Sequence, residues 1–135
     1  MRLVLDTNVL ISALWKPGSV PDQALIAAFA RGATVLYDAR IVAEYRTVLA
    51  RPKFKRIDPA RTADLIARLV SNGEEVTDVP AWEGALPDDD DRLFVEVALA
   101  GSADAIITGN LRDYPETLGV SVLPPASLLA MLEST

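Results

Sequence analysis

Short apolar runs alternate with helix-length segments along the whole chain, and this alternation restricts the fold more than any other feature. Residues 2–6, 33–37, 75–79, 105–108 and 119–123 read as short strands, the first of them an apolar run with no turn residue before Asp6. Residues 8–15 read as a short helix stopped by Lys16-Pro17-Gly18. A second helix, capped by Ser19 or Asp22, runs to about Arg31 and ends at Gly32. Residues 39–50 read as a helix ended by Pro52, and another spans Asp58-Pro59 to Asn72-Gly73. Residues 80–87 read as loop, Asp88 to Ala100 as a helix with an acidic start, and Pro124-Pro125 opens a last helix through Leu132. Parallel strands need long crossovers, usually helical, so the pattern predicts an α/β fold: a mostly parallel sheet covered by helices on both faces. No linker or repeat divides the 135 residues, which fit a single domain, 1–135.

Two absences limit the chemistry. With no cysteine and no histidine, thiol nucleophiles, zinc ribbons, Ser-His-Asp triads and histidine bases are excluded. Any metal must be held by oxygen, which suits hard cations, chiefly Mg²⁺ or Mn²⁺. No apolar stretch approaches the ~20 residues of a membrane span, and Met1-Arg2-Leu3 runs directly into the first strand without a signal peptide. A cytoplasmic protein with no membrane partner is expected.

Carboxylates stand where strands end. Asp6 closes the first run, and ligands of open α/β sheets are handled at the C-terminal strand edge. Glu44 lies three residues after Ile41 and four before Val48, on their apolar helix face. Asp88-Asp89-Asp90-Asp91 opens a helix, and Asp113 follows the fourth strand in Thr108-Gly-Asn-Leu-Arg-Asp. Each has an ordinary reading by itself: Asp6 as an N-cap, Glu44 as a flank residue paired with Arg40 or Arg46, the aspartate run as helix-start chemistry, Asp113 as a turn cap. Gathered on one edge, Asp6, Glu44, Asp91 and Asp113 would repel by ~4 kcal/mol per close pair, and a divalent cation reverses that sign. Asp88 and Asp90, beside Asp91, are placed to share the metal. Such a site suits phosphoryl transfer. Thr7, Asn8, Thr108 and Asn110 are the supporting hydroxyls and amides that would position a water or a phosphate oxygen.

The formal net charge of −6 conceals a basic centre. Between residues 40 and 68 stand Arg40, Arg46, Arg51, Lys53, Lys55, Arg56, Arg61 and Arg68 against only Glu44, Asp58 and Asp64. Arg40, Arg46, Arg51, Lys53 and Lys55 are the candidate contacts to a nucleic-acid backbone; a merely solvated surface is the other reading.

Leu5-Asp6-Thr7-Asn8-Val9-Leu10, Glu44 in the helix after the second strand, Asp91-Arg-Leu-Phe-Val-Glu-Val-Ala98 and Thr108-Gly-Asn-Leu-Arg-Asp113-Tyr114 together resemble the PIN domain over essentially the whole chain. The nearest likeness is to the VapC-like ribonuclease toxins of bacterial toxin–antitoxin modules. The resemblance implies a three-layer α/β/α fold with a central, mostly parallel five-stranded sheet and a Mg²⁺- or Mn²⁺-dependent endoribonuclease acting on RNA. It implies Asp6, Glu44, Asp91 and Asp113 as the acidic quartet. A cognate antitoxin and a homodimer or higher oligomer follow from the same kinship. Asn110 departs from relatives that carry an aspartate directly after Thr-Gly, and Asp113 takes the acid role as in a Thr-x-Asn-x-x-Asp pattern. Two other readings stand beside this one. The first is a catalytically silent PIN-like module binding RNA or protein. The second is a haloacid-dehalogenase-type phosphatase, which would need an aspartate where Asn8 stands. Trp15 and Trp82 read as partly buried anchors, Trp15 alternatively as part of a dimer or antitoxin surface.

Overall fold

The structure, a computed structural model, describes residues 1–134, so the last residue of the expected 1–135 unit lies outside the described residues. β1 (Arg2–Leu5) pairs with β2 (Thr34–Tyr37) on one side and β4 (Ala105–Ile107) on the other. β3 (Glu74–Glu75) extends the sheet beyond β2, and β5 (Ser121–Leu123) beyond β4. The order is β3-β2-β1-β4-β5, with every pairing parallel. The covering helices are α1 (Thr7–Trp15), α2 (Val20–Ala30), α3 (Ala39–Leu49), α4 (Pro59–Ser71), α5 (Arg92–Ala100) and α6 (Pro125–Glu133). The expected three-layer α/β/α architecture with a five-stranded parallel sheet is what the chain forms.

The central strands read as continuous apolar runs because they are covered on both faces. Leu3, Val4, Leu5, Ala105, Ile106 and Ile107 are all buried. Tyr45 of α3 stacks on Phe94 of α5 at 6.4 Å between ring centroids, and its hydroxyl donates to the Leu5 carbonyl at 2.6 Å. Burial pushes that phenol far above its usual range. This bond fixes α3 against the C-terminal end of β1, which brings the neighbouring Glu44 to the sheet edge. Where α4 meets β3, a Cβ on Gly73 would overlap the carbonyl oxygens of Leu69 and Val35, so only glycine allows the close approach.

Several boundaries differ from the sequence reading. β3 is Glu74–Glu75 rather than 75–79: Val76 still donates to the Tyr37 carbonyl at 2.8 Å, but Asp78 turns to a φ of 54° and Pro80 offers no donor. β5 starts at Ser121 because Gly119 makes a turn at φ 81°. The acidic helix start is a separate 3₁₀ turn, Asp89–Asp91, capped by the Asp88 side chain, and α5 begins at Arg92. Two further 3₁₀ turns, Pro52–Phe54 and Leu111–Asp113, had no sequence signal strong enough to read. No helix among the described residues is long and apolar enough to cross a membrane.

Candidate active site

From β1 the chain steps outward through β2 to β3, and from β4 outward to β5, so the direction of winding reverses between β1 and β4. A crevice opens beyond the C-terminal strand ends at such a point. The residues that leave the two strands there are Asp6 and Thr108, and they touch: the Thr108 hydroxyl donates to Asp6 Oδ2 at 3.1 Å. Asn8 straps the two loops together. Its Nδ2 donates to Thr108 Oγ1 at 3.2 Å and its Oδ1 accepts from the Gly109 amide at 2.8 Å. Asn110 donates its backbone amide to Thr108 Oγ1 at 3.0 Å and its Nδ2 to Asp113 Oδ2 at 2.8 Å. The supporting residues read from sequence are thus brought together: Thr108 and Asn110 each donate to a carboxylate, and Asn8 holds Thr108 and Gly109 in place. Thr7 is the exception: its hydroxyl is buried with no partner.

Asp6 also keeps its ordinary role, accepting from the Asn8 amide at 3.4 Å as the cap of α1. Burial pushes its carboxyl above the usual range; Tyr114, Asn8 and Thr108 pull it back, and the charge on Asp113 raises it further. Asp91 is 9% exposed, and its carboxyl is pushed up to about 7, first by burial and then by the charges of Asp6, Asp113 and Asp88. Asp91 Oδ2 is buried without a hydrogen-bond partner. Glu44 is raised chiefly by burial, with Asp90, Asp6 and Asp88 adding to the rise and Arg51 opposing it. Acids from four separate parts of the chain therefore act on one another at one edge of the sheet.

Among the described residues, no three carboxylates stand closed around a common point. The donor set nevertheless fits a divalent cation: every candidate ligand is an oxygen, one buried carboxylate oxygen has no donor, and the remaining tension is repulsion between like charges. The sequence model of the PIN domain matches residues 2–112, which include Asp6, Glu44 and Asp91 and stop one residue short of Asp113. The chain belongs to the PIN domain family. No curated protein and no solved structure matches it. PIN domains are usually nucleases and generally use divalent metal ions. The phosphatase reading loses its ground here, since Asn8 at the required aspartate position is fully engaged with Thr108 and Gly109.

One contributor to this PIN domain's site escaped the sequence reading. The buried Tyr114 donates its hydroxyl to Asp6 Oδ2 at 2.9 Å. Its only sequence signal is its place directly after Asp113. Tyr114→Phe should lower stability at pH 8 by about 1.5–3 kcal/mol, the range for hydrogen bonds to a charged group, read from denaturant midpoints.

The PIN domain's acidic turn is aimed by residues behind it. The Arg92 guanidinium lies over the Trp82 ring at 5.4 Å and donates to the Trp82 and Gly84 carbonyls at 2.7 and 2.8 Å and to Asp89 Oδ1 at 2.6 Å. The buried Glu96 accepts from the Trp82 amide and from Arg40, each at 2.8 Å. Trp82 is thus the loop anchor its sequence context suggests. Arg40 also pairs with Asp38 at 2.8 Å, the residue that caps α3. Its charge is answered twice within the protein, unlike those of Arg46, Arg51, Lys53 and Lys55, which form no ion pair among the described residues.

Proposed function

We propose that this PIN domain is a Mg²⁺- or Mn²⁺-dependent endoribonuclease of the VapC-like kind, the toxin of a toxin–antitoxin pair, with residues 1–135 working as one cytoplasmic domain. One observation carries the reading: acids from four parts of the chain act on one another at one sheet edge, where Asp91 Oδ2 is buried without a donor. Asp6, Glu44, Asp91 and Asp113 would hold the ion, and Asp88 and Asp90 stand beside them to share it. When bound, the ion lowers the pKa of a water and neutralises charge on the scissile phosphate. The chain's own part is orientation. Tyr114 and Thr108 fix Asp6, Asn110 fixes Asp113, and Arg92 holds the turn carrying Asp91. The unpartnered Thr7 hydroxyl is the group left to orient a water or a phosphate oxygen.

RNA as the substrate is supported by the unpaired cations around the Pro52–Phe54 turn. The antitoxin and a self-associated toxin are supported by the motif likeness to VapC-like proteins. The test is cleavage of a structured RNA. Cutting is expected with Mn²⁺, and none with chelator or in the Asp6→Asn variant. RNA bound but uncut in every divalent ion would instead make the chain a silent PIN-like binding module. Replacing Arg51, Lys53 and Lys55 together with glutamine should weaken RNA binding and flatten its salt dependence by roughly 0.7 per lost single-strand phosphate contact, about 2 in all. An unchanged slope would leave them as a solvated surface.

A further inference from the structure

Trp15 ends α1 and is 47% exposed, the one exposed aromatic side chain among the described residues. Phe54 packs edge-on against it, with ring centroids 6.3 Å apart and planes at 82°. Each ring carries a cation: the Arg56 guanidinium lies 5.2 Å from the Trp15 centroid and the Lys53 ammonium 5.1 Å from the Phe54 centroid. Neither cation forms an ion pair among the described residues. Beside the rings is a hollow of about 430 Å³ lined by Ile11, Ser12, Trp15, Ser19, Pro21 and Phe54.

An exposed ring packed on a half-buried one, each beside an unneutralised cation, suits a single nucleic-acid strand, whose bases stack on aromatic faces while its phosphates meet positive charge. An apolar protein partner would have to bury Lys53 and Arg56 unanswered, at a heavy desolvation cost. The location fits as well. α1 starts at the Asp6 cap and ends at Trp15, so the indole stands about 12 Å along the helix from the acidic edge, a few nucleotides of extended strand.

We propose that Trp15, with Phe54 and Arg56, is a stacking site for an unpaired base of the RNA strand whose scissile phosphate lies at the acidic edge. The proposal rests on the nuclease reading and adds the residues that receive a base beside the cut, which a duplex, with its base faces inside, does not present to them.

The test uses the Asp6→Asn protein, so that RNA is not consumed, with Trp82→Phe added so that Trp15 is the only fluorophore of its type. A single-stranded oligoribonucleotide should quench the indole emission, and its pre-annealed duplex should not. With the indole restored at position 82 and RNA binding followed by a label on the oligonucleotide, Trp15→Leu should weaken single-strand binding about tenfold, in the range for loss of one stacked base. Trp15→Tyr should recover most of it, which separates stacking from misfolding. Equal binding of wild-type and Trp15→Leu proteins would overturn the site, as would quenching by the duplex alone. A Trp15→Leu change in oligomeric mass with RNA affinity unchanged would assign the patch to a protein interface instead and overturn it too. If unsubstituted protein cuts RNA while residue 15 proves indifferent, the stacking site alone fails; if it neither binds nor cuts RNA, the nuclease reading fails with it.

Discussion

Asp91→Asn is expected to abolish cleavage, by a factor on the order of 10³ or more, while raising the melting temperature of the metal-free protein by several degrees at pH 8. The two effects have one cause. At pH 8 Asp91 is ionised in a buried position, beside Asp6, Asp113 and Asp88, with Oδ2 lacking any donor, and its carboxyl is pushed up to about 7 to match. Asparagine has the same shape, carries no charge and offers an amide N–H to Asp113. It removes the repulsion and the buried charge, at the expense of the group proposed to hold the ion. A structural aspartate at the start of α5 would behave oppositely, since an acid there favours the helix dipole and its loss destabilises. Differential scanning fluorimetry in chelator, run beside a cleavage assay in Mn²⁺, separates the two. A lower melting temperature with activity retained would make Asp91 a helix-start residue and nothing more.

That opposition between stability and activity also explains which parts of the site could be read in advance. Strand ends are local features. A run such as Arg2 to Leu5 can only be a buried strand, so the place where Asp6 leaves it is fixed by composition. Glu44 was placed by spacing alone, because Ile41 and Val48 define the buried face of α3. The fourfold aspartate run announced repulsion that no cap requires. What spacing cannot supply is contact between distant segments. Tyr114 reaches Asp6 across 108 residues, and the charge of Arg40 is answered by Glu96 across 56. Counting cations over residues 40–68 therefore overstated Arg40 and gave no reason to single out Arg56, whose partner is the ring of Trp15. The strand at 75–79 failed for a different reason. Backbone conformation at Asp78 decides where pairing stops, and side-chain pattern does not report it.

The second large effect is the response of stability to pH with and without metal. In chelator, the melting temperature should fall by roughly 5–10 °C between pH 5 and pH 8, the reverse of what carboxylates in ion pairs produce. The direction follows from proton uptake. Asp6, Glu44 and Asp91 all have carboxyls raised by burial and by one another's charge. Between about pH 4, where such groups ionise in an unfolded chain, and about 7, where Asp91 does so in the folded one, the folded state binds more protons. Stability then declines as pH rises through that window. The stabilisation is complete below the unfolded value and gone above the folded one. The Glu74–Arg2 ion pair acts in the opposite direction, but it lies on the exposed surface, where a pair contributes little. Saturating Mn²⁺ should abolish the decline, because a cation takes over the role of the lost protons and binds more tightly as they leave. At a hundred times its dissociation constant, the ion adds ~2.7 kcal/mol, enough to restore most of the loss. A chelated protein that instead gained stability from pH 5 to pH 8, with Mn²⁺ making no difference, would mean that the acids at this edge are answered by neighbours within the chain, and the case for a metal there would be gone.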